Sequence, residues 1–196
     1  MGDLAAEASA LQWSITAMSE TTQRLLQMRV WDQARALAVI GEAVWWITIV
    51  DATLVRHHPG AYDGVADGQA PAERGRTEGT LAGLRFVRNR IGRKVSLAKF
   101  VEPGPPDPDI GARITGWTWR PVPEPALSWL PPRAQAWEMT RYQAYQAELA
   151  GHTIRETFGR SAAFLTLTAA NATDIADISE HADWRPTPFL RPAPAN

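Results

Sequence analysis

No cysteine occurs in the 196 residues, which excludes disulfides, thiolate zinc sites and a cysteine nucleophile. That absence fits a cytoplasmic protein. The amino terminus has no basic n-region, continuous apolar h-region or cleavage site, so no secretory leader is expected. Long apolar runs are also missing. The densest, Ala43 to Val50, extends to Val55 only across Asp51. It reads as a buried core helix too short for a bilayer, and no membrane partner is expected. Charge of one sign does not accumulate either: the formal net charge is -1, so a nucleic-acid role needs a local patch and not a global field.

Several chemical signatures are absent. No G-x-x-x-x-G-K-[ST] and no G-x-G-x-x-G occurs, so no nucleotide cofactor is expected. No G-x-S-x-G elbow is present for serine hydrolysis. The histidines are His57, His58, His152 and His181, with no H-E-x-x-H and no carboxylate at i, i+4 within one helix. No metal site is expected. His57 and His58 at a helix end suit the helix dipole better than a ligand role.

What is present is ordinary globular composition, 45% apolar and 21% charged, with nine tryptophans. So many large aromatics indicate a wide core or an interface. Leu4, Leu11, Ile15, Met18, Leu25 and Met28 predict a helix from Asp3 to about Arg29. Leu37, Ile40, Val44, Ile47, Asp51 and Leu54 predict a second from Gln33 to about His57, ended by Pro59-Gly60. Ala61 to Ala70 reads as a mobile loop. A third helix follows from about Ala72 to Lys94. In it Gly75, Gly79 and Gly83 recur every four residues and open one face to close approach.

Glu102 to Asp109 carries four prolines in eight residues, which argues against regular structure there. Ala112 to Trp119 reads as a short strand. Arg120 to Arg133 holds five prolines and reads as irregular. Ala134 to Ala150, with Trp137, Tyr142, Tyr145 and Leu149, predicts a fourth helix capped by Gly151. Thr153-Ile154-Arg155-Glu156 has the form of a capping box and starts a fifth helix to about Ala172. Its candidate core residues are Phe158, Ala162, Leu165 and Leu167. The expected fold is all-α: a helical bundle of four to five helices over residues 1–172, with a long Pro/Trp-rich extended insertion at about 95–133. Residues 173–196 are expected to form an extended or disordered tail.

Candidate chemistry centres on one segment. Leu81, Leu84, Val87, Ile91 and Val95 form an apolar stripe, while Arg85, Asn89 and Gly92 share another face and Arg88 sits on the border. An Arg-Asn pair there suits a phosphodiester grip or a buried ion-pair network equally well. Glu42 and Asp51, nine residues apart, fall on opposite faces of the second helix and cannot be an acid/base dyad. A carboxylate buried in such a helix needs a cation, and either one is expected to meet Arg88. The basic run Arg85, Arg88, Arg90, Arg93 and Lys94, with Trp117 and Trp119, could track an RNA backbone and stack its bases. The plainer reading of the run, and the favoured one, is a solvated helix end that complements the dipole.

The segments Glu42 to Asp51, Gly83 to Gly92, Gly116 to Pro121 and Tyr145 to Ile154 together resemble a group of uncharacterised actinobacterial proteins, which in turn look like the HEPN superfamily. The similarity spans roughly Trp31 to Leu167. The resemblance implies an all-α bundle that dimerises through its long helices. Many members of that superfamily are metal-independent ribonucleases of toxin-antitoxin and phage-defence systems, with an arginine, often a polar residue, and then a histidine. Arg88-Asn89 matches the first half, but Arg93, Lys94 and Val95 stand where the histidine belongs. With no imidazole to act as general base, the resemblance favours a non-catalytic homodimer that binds RNA or a small protein partner. The alternatives are a ribonuclease with Arg88 and Asn89 as catalytic residues, and a purely structural helical interaction protein.

Overall fold

Six helices and one small sheet follow in the order α1 (Gly2–Gln27), α2 (Gln33–His57), α3 (Pro59–Asp67), α4 (Pro71–Ile91), β1 (Val101–Pro106), β2 (Thr115–Trp119), α5 (Pro132–Glu148) and α6 (Ile154–Asn171). A 3-10 turn, Leu97–Lys99, precedes β1. This computed structural model describes residues 2–27, 33–91, 96–106 and 115–172. Arg93, Lys94 and the expected tail lie outside the described residues.

The mostly helical character follows from the apolar periodicity. In α2, Ile40, Val44, Ile47 and Leu54 are buried at spacings of three, four and seven, and Leu11, Ile15, Met18 and Leu25 of α1 pack with them in one core. α6 adds Phe158, Leu165 and Ala169 to that core. Thr153 caps α6, its hydroxyl accepting from the Glu156 amide at 3.1 Å. One expected core residue points the other way, since Leu167 is exposed, and Trp137 of α5 is exposed too. α2 is, by length and composition alone, apolar enough to cross a membrane, beyond the short run read from the sequence. Half of that stretch is buried inside the protein, as in the core helix of a globular domain.

The glycine face of α4 meets α5. A Cβ at Gly83 would lie 2.6 Å from Leu149 Cδ1 and 3.1 Å from the Tyr145 Cα, whereas one at Gly79 would meet only the side chain of Glu148. Gly79→Ala therefore gains about 1 kcal/mol of helix propensity, offset only by displacing a flexible side chain. Gly83→Ala forces backbone apart and is destabilising by about 1–3 kcal/mol. Thermal melts of the two variants should move in opposite directions.

Two segments depart from the sequence expectation. The loop expected at 61–70 is largely helix α3, started by Pro59 at its first turn. Its weak intrinsic propensity is overridden by packing: Ala66 is buried and the Tyr62 ring meets Phe164 edge-on at 5.0 Å. The proline-rich stretch is strand β1 as far as Pro106, where the described residues stop, paired antiparallel with β2 as Val101↔Trp119, Glu102↔Thr118 and Pro103↔Trp117, with an irregularity before Pro106↔Thr115. Among the described residues the sheet has two strands, so β1 is an edge, where proline costs least. Gly104 is needed there, because a Cβ would come within 2.5 Å of Thr118 Cγ2.

Candidate functional site

α4 runs between α2 and α5, and its polar residues are distributed to both neighbours. Arg85 reaches α2. Its Nε and Nη2 both lie 2.5 Å from Asp51 Oδ2, and the Tyr62 hydroxyl of α3 donates to Oδ1 at 3.0 Å. The Asp51 side chain is fully buried and Arg85 keeps 32% of its side chain exposed. Burial pushes the Asp51 carboxyl above the usual carboxylate range, against the opposing pull of Arg85 and of the Tyr62 hydrogen bond. Burial and the adjacent carboxylate likewise raise the Tyr62 phenol. This is a closed polar centre in an apolar helix pair.

Asn89, one turn on, turns to α5 and donates to Glu138 Oε2 at 3.2 Å. Arg141 approaches the same oxygen at 3.6 Å. Arg88 takes neither partner. Its guanidinium lies 4.8 Å from the ring centroid of Trp45, which is 49% exposed on α2. Among the described residues Arg88 has no carboxylate partner. Arg90 lies over Phe86, 5.5 Å from its centroid, beside Lys99 and Arg120.

The sequence expectations are thus sorted. The buried carboxylate does pair with an arginine of α4, but Asp51 takes Arg85 and not Arg88. Glu42 faces α1, bonded to Arg24 at 2.6 Å and to the Thr21 hydroxyl at 3.1 Å. Trp117 and Trp119 are not base-stacking platforms as placed: they are 6% and 0% exposed. Trp119 sits among Tyr145 and Phe158 and donates its indole N–H to Thr157 at 3.0 Å. The run of cations is divided, with Arg85 inward, Arg88 on α2 and Arg90 beside Phe86. Sequence reading missed Tyr62, Trp45, Glu138, Lys99 and Arg120; the Trp45-Trp46 pair was the one visible signal. Among the described residues no group of three or more His, Asp or Glu could hold a metal ion. No protein-family model, curated protein or solved structure matches the chain.

Proposed function

We propose that the protein is a HEPN-like helical bundle over residues 1–172, with an extended insertion at about 95–133, that binds RNA without cleaving it. The reading includes a cytoplasmic homodimer in a defence or toxin-antitoxin setting, as the resemblance implies. The observation that carries RNA binding is the Arg88–Trp45 pair: a cation without a carboxylate partner among the described residues, laid on a half-exposed ring. Such a pair offers a charge to a phosphate and a π-face to a base. Trp45 takes the stacking role first assigned to Trp117 and Trp119. The internal pairings of Arg85 and Asn89 support a non-catalytic role, because neither side chain is available to a scissile phosphate without breaking its own contact.

The test is retention of a single-stranded RNA oligonucleotide on filters, with chelator present, between 50 and 200 mM salt. With about four phosphate contacts, affinity should fall roughly fifty-fold over that range. Arg88→Ala removes a surface cation–π contact worth about 0.5–1 kcal/mol, so the fold persists. RNA affinity should drop about tenfold in Arg88→Ala and in Trp45→Ala, since a base–aromatic stack is worth about 1–3 kcal/mol. Retention unchanged in both variants would refute the reading. Cleavage in chelator, lost in Arg88→Ala, would favour the ribonuclease, and capture of a small protein in place of RNA would favour the partner-binding alternative.

A further inference from the structure

Beside β1, a cavity of about 420 Å³ opens between α4 and the proline-rich segment that follows β2. Its volume lies in the range of small-molecule sites. Three cations line it, Arg90, Lys99 and Arg120, together with Phe86, Phe100 and a single carboxylate, Glu124. Arg120 shares an exposed ion pair with Glu102 at 3.2 Å, while Arg90 lies over Phe86 and Lys99 has no carboxylate partner among the described residues.

The wall opposite α4 is held in place. Pro121, Pro123 and Pro125 fix its backbone angles. α5 donates to its carbonyls: Tyr145 Oη to Arg120 at 2.5 Å, Tyr142 Oη to Val122 at 3.2 Å and Gln146 Nε2 to Val122 at 2.5 Å. The Arg120 amide in turn donates to the Phe100 carbonyl at 2.8 Å. A wall pinned at this many points is formed before any ligand arrives, which lowers the entropy lost on binding.

We propose that this cavity is a binding site for a mononucleotide. Two guanidinium groups and one ammonium suit a phosphate monoester, whose oxygens accept from several donors at once. The proline and valine wall and the edges of the two phenylalanines suit a planar ring. Glu124 supplies an acceptor for a sugar hydroxyl or a ring amine. Arg90 of this site and Arg88 point about 160° apart around α4, and the proposal does not depend on the RNA reading.

Calorimetric titration of the full chain with AMP, adenosine and inorganic phosphate tests it. AMP should bind, with adenosine and inorganic phosphate each at least about tenfold weaker, because each forfeits one half of the recognition. Lys99→Ala and Arg120→Ala should each weaken AMP by about 10- to 100-fold, the loss of a charged hydrogen bond. Both positions are exposed, so the melting temperature should hold, and RNA retention through Arg88 should not change. Conversely, Arg88→Ala should leave AMP binding intact. No AMP binding at millimolar concentration, equal affinity for inorganic phosphate, or AMP affinity indifferent to both variants would overturn the proposal.

Discussion

Arg85→Ala should destabilise the protein by about 3–5 kcal/mol near neutral pH, because it leaves a buried carboxylate without its counter-charge. Asp51 is fully buried and both guanidinium contacts fall on one of its oxygens, so among the described residues the Tyr62 hydroxyl would be its remaining hydrogen-bond donor, with the more distant charge of Arg141. The loss has a ceiling set by protonation. A variant Asp51 that cannot stay ionised takes up a proton, which at pH 7 costs about 4 kcal/mol relative to an unfolded carboxyl at 3.8.

The pH dependence follows with a definite sign. The folded Asp51 carboxyl already sits above 3.8, so its contribution is most favourable below that value and declines as pH rises through the folded one. Removing Arg85 raises the folded value further and widens the window upward. Arg85→Ala should therefore regain stability on acidification relative to the parent, by up to about 1.4 kcal/mol per pH unit over the range between the parent's folded value and the variant's higher one. Urea unfolding of both proteins at several pH values measures this. A difference that does not change with pH would mean that Asp51 holds the same protonation state with and without Arg85, and the account of a closed buried pair would fail.

Trp119→Ala should cost about 3–5 kcal/mol, the loss typical of a fully buried large aromatic. The ring is 6.2 Å from Tyr145 and 6.0 Å from Phe158, between α5 and α6. Trp119→Phe should be milder, since Thr157 keeps its own hydrogen bond to the Thr153 carbonyl at 2.8 Å. At temperatures where each variant is folded, RNA retention should match the parent. A stable Trp119→Ala protein that has lost RNA binding would restore the stacking role and contradict the burial.

The sequence made the helices legible where apolar spacing was regular. α2 ends and α6 begins within a residue or so of expectation because Pro59, Gly151 and the Thr153 cap mark boundaries locally. α3 was hidden because glycine and aspartate carry little helix propensity, and what holds it is Tyr62 on Asp51 and Phe164, contacts no local window contains. β1 was hidden because proline was weighed as a breaker without knowing that the segment would be an edge. At the candidate site, the need for a cation against Asp51 was readable but its identity was not. Arg85 and Arg88 lie about 60° apart on the helix, and only tertiary packing sets which of them reaches Asp51. The tryptophans posed the same problem: alternation in β2 places Trp117 and Trp119 on one face without saying that this face is covered.

β2 is also sewn into the turn between α5 and α6. The Trp119 amide donates to the His152 carbonyl at 3.0 Å, the Gly151 amide returns to the Trp119 carbonyl at 2.8 Å, and Thr118 bridges Thr153. Neither partner can open while the other stays shut: releasing the strand uncaps the interhelical turn, and fraying the turn orphans the strand. The extended residues and the last two helices therefore belong to one cooperative unit, and what reads in the chain as a detour is, thermodynamically, a hinge pin.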